Sequence, residues 1–262
     1  MAISNLQSDW ASAQKQRMPW KKTTTRTTVA LGWFSLFDVA GNPGAGTLAA
    51  GNTANGLVPT DAIAGYPIIN NFSGSGYIGR SVFANTVLSR IRLYDRLFVC
   101  GAYAFNANTN LATQPSFSAR CPGGLFNGLE LWVEQVTTAT GNQAVNVTYI
   151  DQGGASSSTG AVGIAAAPTV GRCWQLPLAS GDSGLQRIDN VTGSVASAGT
   201  FNVMVLWPLD SERIAIANAQ MLHDVLATGL PEMYQDSALY CMVNADSTSS
   251  GLPDCEFDVV SK

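Results

Sequence analysis

Ala144-Val-Asn-Val-Thr-Tyr-Ile-Asp151 and Thr200-Phe-Asn-Val-Met-Val-Leu-Trp-Pro-Leu209 both repeat with a period of two. In the first, Val145, Val147 and Tyr149 point one way and Asn146 and Thr148 the other, the pattern of a strand with one buried face. In the second, Val203, Val205 and Trp207 oppose Asn202, Met204 and Leu206. Its second face is also largely apolar, so both faces are expected to be covered.

Similar signals recur at Thr28–Phe37, Tyr77–Leu88, Arg90–Tyr94, Leu97–Phe105, Leu129–Thr138, Arg172–Leu178, Gln186–Val191, Ala238–Ala245 and Cys255–Val260. Gly-Asn, Gly-Gly, Ser-Gly and Pro-Gly breaks separate them. Strands at this spacing predict a mainly β protein, an antiparallel β-sandwich or jelly-roll-like body. One helix is expected at Ala217–Thr228, with Met221, Leu222, Val225 and Leu226 on one side and Gly229 as its C-terminal cap. Asp38 to Gly65 is dense in Gly, Ala, Asn and Pro and opens a long loop, residues 38–76, with few core-forming residues.

Ahead of this body (residues 27–262) lies an arm, residues 1–26, of different character. It holds five of the fourteen basic side chains, Lys15, Arg17, Lys21, Lys22 and Arg26, together with Trp10 and Trp20. The rest of the chain carries nine basic against seventeen acidic residues. Ser4 to Met18 reads as a short helix capped by Ser4 and stopped by Pro19. Its apolar stripe (Leu6, Trp10, Ala13) is too thin to hold an isolated helix, so it should order on contact. A basic, aromatic arm on an acidic body predicts docking on an acidic protein surface. Nucleic acid is the weaker match, because five charges on a short arm bind it weakly and the acidic body opposes it.

Only 12% of the 262 residues are charged, about half the usual share, while 46% are hydrophobic. That balance fits a subunit of a larger assembly, whose interfaces are depleted in charge. Cys100, Cys121, Cys173, Cys241 and Cys255 are odd in number and widely spaced, neither a disulfide framework nor a zinc pattern. Free thiols buried as small hydrophobes, in a protein folded in a reducing cytosol, are expected. No apolar run reaches the length of a membrane span, and the polar N-terminus lacks the apolar core of a signal peptide.

Several motifs imitate enzymes. Gly181-Asp-Ser-Gly184 copies the peptide around a serine-protease nucleophile, but that chemistry needs an upstream histidine, and the one histidine, His223, lies downstream. The segment reads as a hairpin turn. Gly74-Ser-Gly-Tyr-Ile-Gly79 has dinucleotide-binding spacing, with Asp95 where a ribose-binding acid belongs, yet no helix signal follows and the segment reads as a Gly-rich loop. Glu130 and Glu134 share a strand face roughly 13 Å apart, too far for a glycosidase pair, and read as solvent-facing charges. His223 reads as a structural residue of the late helix. Asp210, Glu212 and Asp254 offer oxygen ligands but form no calcium loop. No catalytic residue, cofactor or metal is expected.

Arg92-Leu-Tyr-Asp-Arg-Leu97, Gly128-Leu-Glu-Leu-Trp-Val-Glu134, Asn146-Val-Thr-Tyr-Ile-Asp-Gln-Gly153, Trp174-Gln-Leu-Pro-Leu-Ala-Ser-Gly-Asp-Ser-Gly184 and Thr228-Gly-Leu-Pro231 resemble stretches of tailed-bacteriophage virion structural proteins of the capsid decoration or cement type. The resemblance spans roughly residues 28 to 260 and leaves out the arm. It implies a non-enzymatic β-sandwich subunit of the virion, folded in the bacterial host cytoplasm. Its partners would be the major capsid protein, or another virion protein, and further copies of itself, as a trimer. The arm would then hold the capsid through Trp10, Lys15, Arg17, Trp20, Lys21, Lys22 and Arg26. A tail or neck component is the neighbouring alternative, and a carbohydrate-binding adhesin the alternative from another class.

Overall fold

The computed structural model describes residues 13–70, 75–164, 169–194 and 198–261. The first nine strands are β1 (Gln14–Lys22), β2 (Trp33–Ser35), β3 (Gly41–Asn42), β4 (Asn52–Leu57), β5 (Ser75–Phe83), β6 (Ser89–Ala104), β7 (Asn108–Asn110), β8 (Glu130–Thr137) and β9 (Gln143–Asp151). The second nine are β10 (Ser156–Ser158), β11 (Val162–Ile164), β12 (Arg172–Leu176), β13 (Leu185–Gly193), β14 (Thr200–Ile214), β15 (Met221–His223), β16 (Glu232–Tyr234), β17 (Leu239–Ala245) and β18 (Asp254–Ser261). A single turn of α-helix, α1 (Val225–Thr228), accompanies them.

The central sheet runs β14-β8-β12-β2-β17-β6, and β6 pairs back onto β14, so the sheet closes into a barrel, with β4 added outside β6. Closure removes the exposed edges that an open sheet must protect. Two further sheets pack against the outside of the barrel. One has the order β15-β5-β18-β1-β3, with β16 also on β5; the other runs β10-β9-β13-β7, with β11 also on β9. All the pairings are antiparallel, so the mainly-β antiparallel body expected from the alternation is what the structure shows.

Period-two patterning explains how one barrel serves three cores. On β17, Leu239, Cys241 and Val243 face the first flanking sheet, meeting Trp20, Phe83, Cys255 and Phe257. Tyr240 and Met242, between them in sequence, point into the barrel beside Tyr94, Trp132, Met204 and Leu206. On β8 and β14, Leu131, Val133, Phe201, Val203 and Val205 face the second flanking sheet, meeting Val145, Val147, Tyr149, Ile188 and Val191. The two expected strands Arg90–Tyr94 and Leu97–Phe105 are one strand, β6. Its first half feeds one flank through Ile91 and Leu93 and its second half the other through Leu97 and Tyr103. Register shifts in the β6–β14 ladder at Phe201/Val203, Val205/Leu206 and Pro208/Asp210 mark the bulges that let a strand this long bend round the barrel.

Three expectations are corrected. The arm is not separate from the body as far as residue 26: Gln14 to Lys22 is a strand between β18 and β3, so residues 14–18 are not the end of a helix. Met18, Trp20 and Lys22 alternate inward, and Pro19, without an amide hydrogen, takes an exposed position. The rest of the expected helix, residues 4–12, lies outside the described residues. The stretch 38–76 is not empty of core residues either. Leu48 and Tyr66 join Phe37 in the barrel core, with β3, β4 and the start of β5 inside the same range. There Gly46 and Gly65 lie so close to the Phe37 ring that a Cβ at either would overlap it, and Gly65 has φ +105°. The late helix shrinks to α1, because Met221–His223 pairs with β5 instead. Asp224 caps α1 by accepting hydrogen bonds from the Leu226 and Ala227 amides, and Gly229 ends it at φ 66° as expected.

Candidate functional site

The barrel interior holds a polar network that the alternation of β8 and β6 turns inward. Arg96 Nη2 donates to Glu134 Oε2 at 2.9 Å, and Tyr240 OH to Glu134 Oε1 at 2.8 Å. Asn202 Nδ2 donates to Glu134 Oε2 at 3.0 Å and to the Leu48 carbonyl at 2.6 Å. Arg96 Nη1 reaches Tyr66 OH at 3.3 Å, and burial pushes the Tyr240 phenol well above its ordinary range. Both oxygens of Glu134 are thus occupied by protein donors. Buried and hydrogen-bonded on both oxygens, this carboxylate ties β6, β8, β14 and β17 to one another. The reading of Glu130 and Glu134 as solvent-facing is corrected: Glu134 is fully buried, and Glu130 accepts from Tyr94 OH at 3.0 Å and Trp132 Nε1 at 2.7 Å.

The expected docking residues scatter. Trp10 lies outside the described residues. Trp20 is 2% exposed and packs in the core, so it is not available as a surface anchor. Lys22 is buried beside it, its amine 4.7 Å above the Trp20 ring and donating to the carbonyls of Val39 and Pro43 at 3.0 Å each. Burial lowers its pKa to about 8. Arg26 turns inward to the Asp38 carboxylate and to the Val170 carbonyl. Only Lys15, Arg17 and Lys21 stand together on the outer face of β1. Arg17 meets Asp258 and Glu256 at 3.1 and 3.2 Å, and Lys21 meets Asp254 at 2.7 Å. The basic run is largely answered within its own sheet, because β18 supplies acids at the opposing positions.

The enzyme-like motifs resolve into architecture. Gly181–Gly184 is a turn leading into β13, in which Ser183 Oγ bonds Asn127 Oδ1 at 2.6 Å and Asp182 accepts from Tyr149 OH at 2.6 Å. Gly74 lies outside the described residues, and Gly76 and Gly79 sit within β5, so the expected loop is a strand. Asp95 is buried and accepts from Ser237 Oγ, the Ala238 amide and Arg120. His223 lies between two acids, with Nδ1 3.0 Å from Asp210 and Nε2 2.6 Å from Glu212. Among the described residues no group of three or more His, Cys, Asp or Glu is placed to hold a metal ion. No helix of the described residues is long and apolar enough to cross a membrane. All five cysteines are free and buried, and burial raises the thiols of Cys100, Cys121 and Cys255 to about 12.

One end of the barrel is different. Arg90 and Arg213 are direct partners across the β6–β14 ladder, so their side chains share a face, and Arg92 follows two residues along. Arg92 lies over Trp33, its guanidinium carbon 4.6 Å from the ring centre. With Leu31 and Asp246 these side chains line a cleft of 300 Å³. Leu31, 71% exposed, lines it, and further exposed aliphatic side chains lie close in sequence to its lining: Leu88 (44%) next to Ser89, Val29 (41%) two residues from Leu31 and Ile216 (70%) three from Arg213. Backbone hydrogen bonds join their loops side by side, Leu31 N to Ala245 O, Asp246 N to Leu88 O and Asn218 N to Asn85 O. Sequence reasoning missed this site. The available signal was apolar residues (Leu88, Ile216) in turns at the ends of a charged strand pair, where solvation alone would favour polar ones.

No family model and no curated protein matches the chain. Among solved structures, it aligns with a structure of the infectious bursal disease virus Gx strain at 9% identity, covering 95% of this chain and 80% of that one, with a TM-score of 0.21. A crystal structure of the infectious bursal disease virus VP2 subviral particle aligns at 8% identity over 95% and 81%, with a TM-score of 0.20. Superpositions this loose establish neither a shared fold nor a shared role.

Proposed function

We propose that this protein is a non-enzymatic structural subunit of a bacteriophage virion that decorates or cements the capsid by binding across neighbouring capsid subunits, as a homo-oligomer. The observation that carries the reading is the aliphatic rim at the barrel mouth. Val29, Leu31, Leu88 and Ile216 are exposed on the turns beside one cleft and at the ends of the strands that line it. Clustered apolar exposure is expected where another protein covers it, and a charge content of 12% fits an assembled subunit. The resemblance of the strand-edge segments to phage decoration proteins supplies the kind of assembly. Cementing would work mechanically, many weak contacts being strengthened by the raised effective concentration of each further copy.

Imaging of native particles from the source phage, with the protein present and genetically removed, tests this reading. Extra density bridging capsid subunits, lost on removal, is the expected result. Density at the neck or tail would transfer the role there, and absence from the particle would refute it. The sugar-binding alternative calls for exposed aromatic rings, whereas the exposed large apolar side chains of the described residues are aliphatic or methionine.

A further inference from the structure

The arginines at the barrel mouth differ from most cations of this chain. Arg17, Lys21, Arg26, Arg80, Arg96, Arg120 and Arg187 each contact a carboxylate within ion-pair distance. Arg90 and Arg213 have no such carboxylate among the described residues, although each is exposed and faces the other across the ladder. Like charges directly opposed on antiparallel strands destabilise the pair. Acids stand opposite bases along β1 and β18 of the flanking sheet, whereas the β6–β14 ladder of the barrel sets two guanidiniums side by side. Arg92 adds a third, held against Trp33 and shared with Glu130 at 3.9 Å. Asp246 is the carboxylate lining the same cleft.

We infer that this cleft is an anion-recognition site for an acidic, partly apolar segment of a partner protein: carboxylates from the partner seat between Arg90 and Arg213 while its aliphatic side chains cover Leu31 and Ile216. The occupant follows from what adjoins. Guanidinium forks match carboxylates in pairs, and the aliphatic rim beside them favours a peptide carrying both chemistries over a bare polyanion. Arg and Trp at the centre of a desolvated patch are the residue types that carry interface energy. The inference takes its protein partner from the assembly reading, and it moves the charge-reading surface from the N-terminal arm to the barrel mouth.

The test uses the full chain and a short synthetic peptide of alternating Glu and Leu. Controls are the same peptide with Gln for Glu and a short DNA duplex. At low salt the Glu peptide is expected to bind, to perturb the Trp33 indole resonance and to lose affinity as salt rises. Arg90→Gln with Arg213→Gln should weaken that binding by about tenfold or more and leave the unfolding midpoint equal or higher, since a like-charge pair is removed. Leu31→Ser with Ile216→Ser should weaken binding at every salt concentration. Arg90→Lys with Arg213→Lys, which keeps the charge, should recover part of the loss. Undiminished binding by the double Gln variant, no binding by the wild type, or preference for the DNA duplex would each overturn the inference. Occupancy on native particles separates the two claims. A double Gln variant that fills the particle like the wild type sinks the cleft and leaves the assembly role standing. Arginine-dependent peptide binding by a protein absent from particles does the reverse.

Discussion

Arg96 and Glu134 meet at 2.9 Å inside the closed barrel, with 2% and 0% of their side chains exposed. The pair joins β6 to β8 across the interior, and Tyr240 and Asn202 donate to the same carboxylate. Removing one partner strands the other charge away from water, which costs about 3–5 kcal/mol, whereas replacing both with apolar groups of similar volume is often close to neutral. Glu134→Gln should therefore lower unfolding stability by about that amount in urea titrations, and Arg96→Met with Glu134→Leu should recover much of it. A single-variant loss below about 1 kcal/mol would show that the pair does not hold the barrel together.

His223 makes stability depend on pH with a definite sign. Burial works to lower its pKa, but the hydrogen bonds and charges of Glu212 and Asp210 outweigh it, and the pKa rises above the ordinary 6.5. The folded state thus holds a proton that the unfolded chain has released. The stabilisation is complete below pH 6.5 and is lost as pH climbs through the raised value. Denaturant titrations across neutral pH should show this decline, and His223→Gln should flatten it. The imidazole resonance should titrate above 6.5; a midpoint below that value contradicts its pairing with Asp210 and Glu212.

Trp20 belongs to the core between β1 and the barrel, not to a docking surface. Trp20→Ala should cost about 3–5 kcal/mol of folding stability, as for other buried aromatics. Arg17→Gln, on the exposed face of the same strand, should change stability by less than about 1 kcal/mol. Equal, small effects of both substitutions on thermal unfolding would mean that β1 does not pack as described.

Ser183 accepts no catalytic assignment from its surroundings, since its hydroxyl donates to Asn127 and its amide to Gln152. Ser183→Ala should cost about 0.5–1.5 kcal/mol, one hydrogen bond's worth, and leave the fold intact by circular dichroism. A serine-directed phosphonate should not label the wild type. Stoichiometric labelling would mean that an activating base reaches the turn.

Much of the strand inventory was legible because alternation is local information. Val145, Val147 and Tyr149 face inward whatever the chain does elsewhere, and Gly229 ends a helix because it alone takes a left-handed φ at no steric cost. What went unread is what depends on partners distant in sequence. Residues 14–18 look like the end of a basic helix until β18 lies alongside β1, and Trp20 and Lys22 then have an inside to face. Glu134 looks like a surface charge until β6 pairs back onto β14 and closes the sheet around it. His223 looks helical until β5 claims its backbone.

The sequence by itself thus determined that this is a mainly antiparallel β protein with low charge and free thiols, because side-chain period and composition are properties of the chain. The tertiary structure alone decided that the sheet closes, that the arm's aromatic and cationic side chains are largely spent within the body, and that Arg90 and Arg213 stand together. Closure is a pairing of strands about a hundred residues apart, Val203 with Cys100 and Arg213 with Arg90. Long-range register of that kind is set by the summed burial of three cores, which no local window of sequence contains.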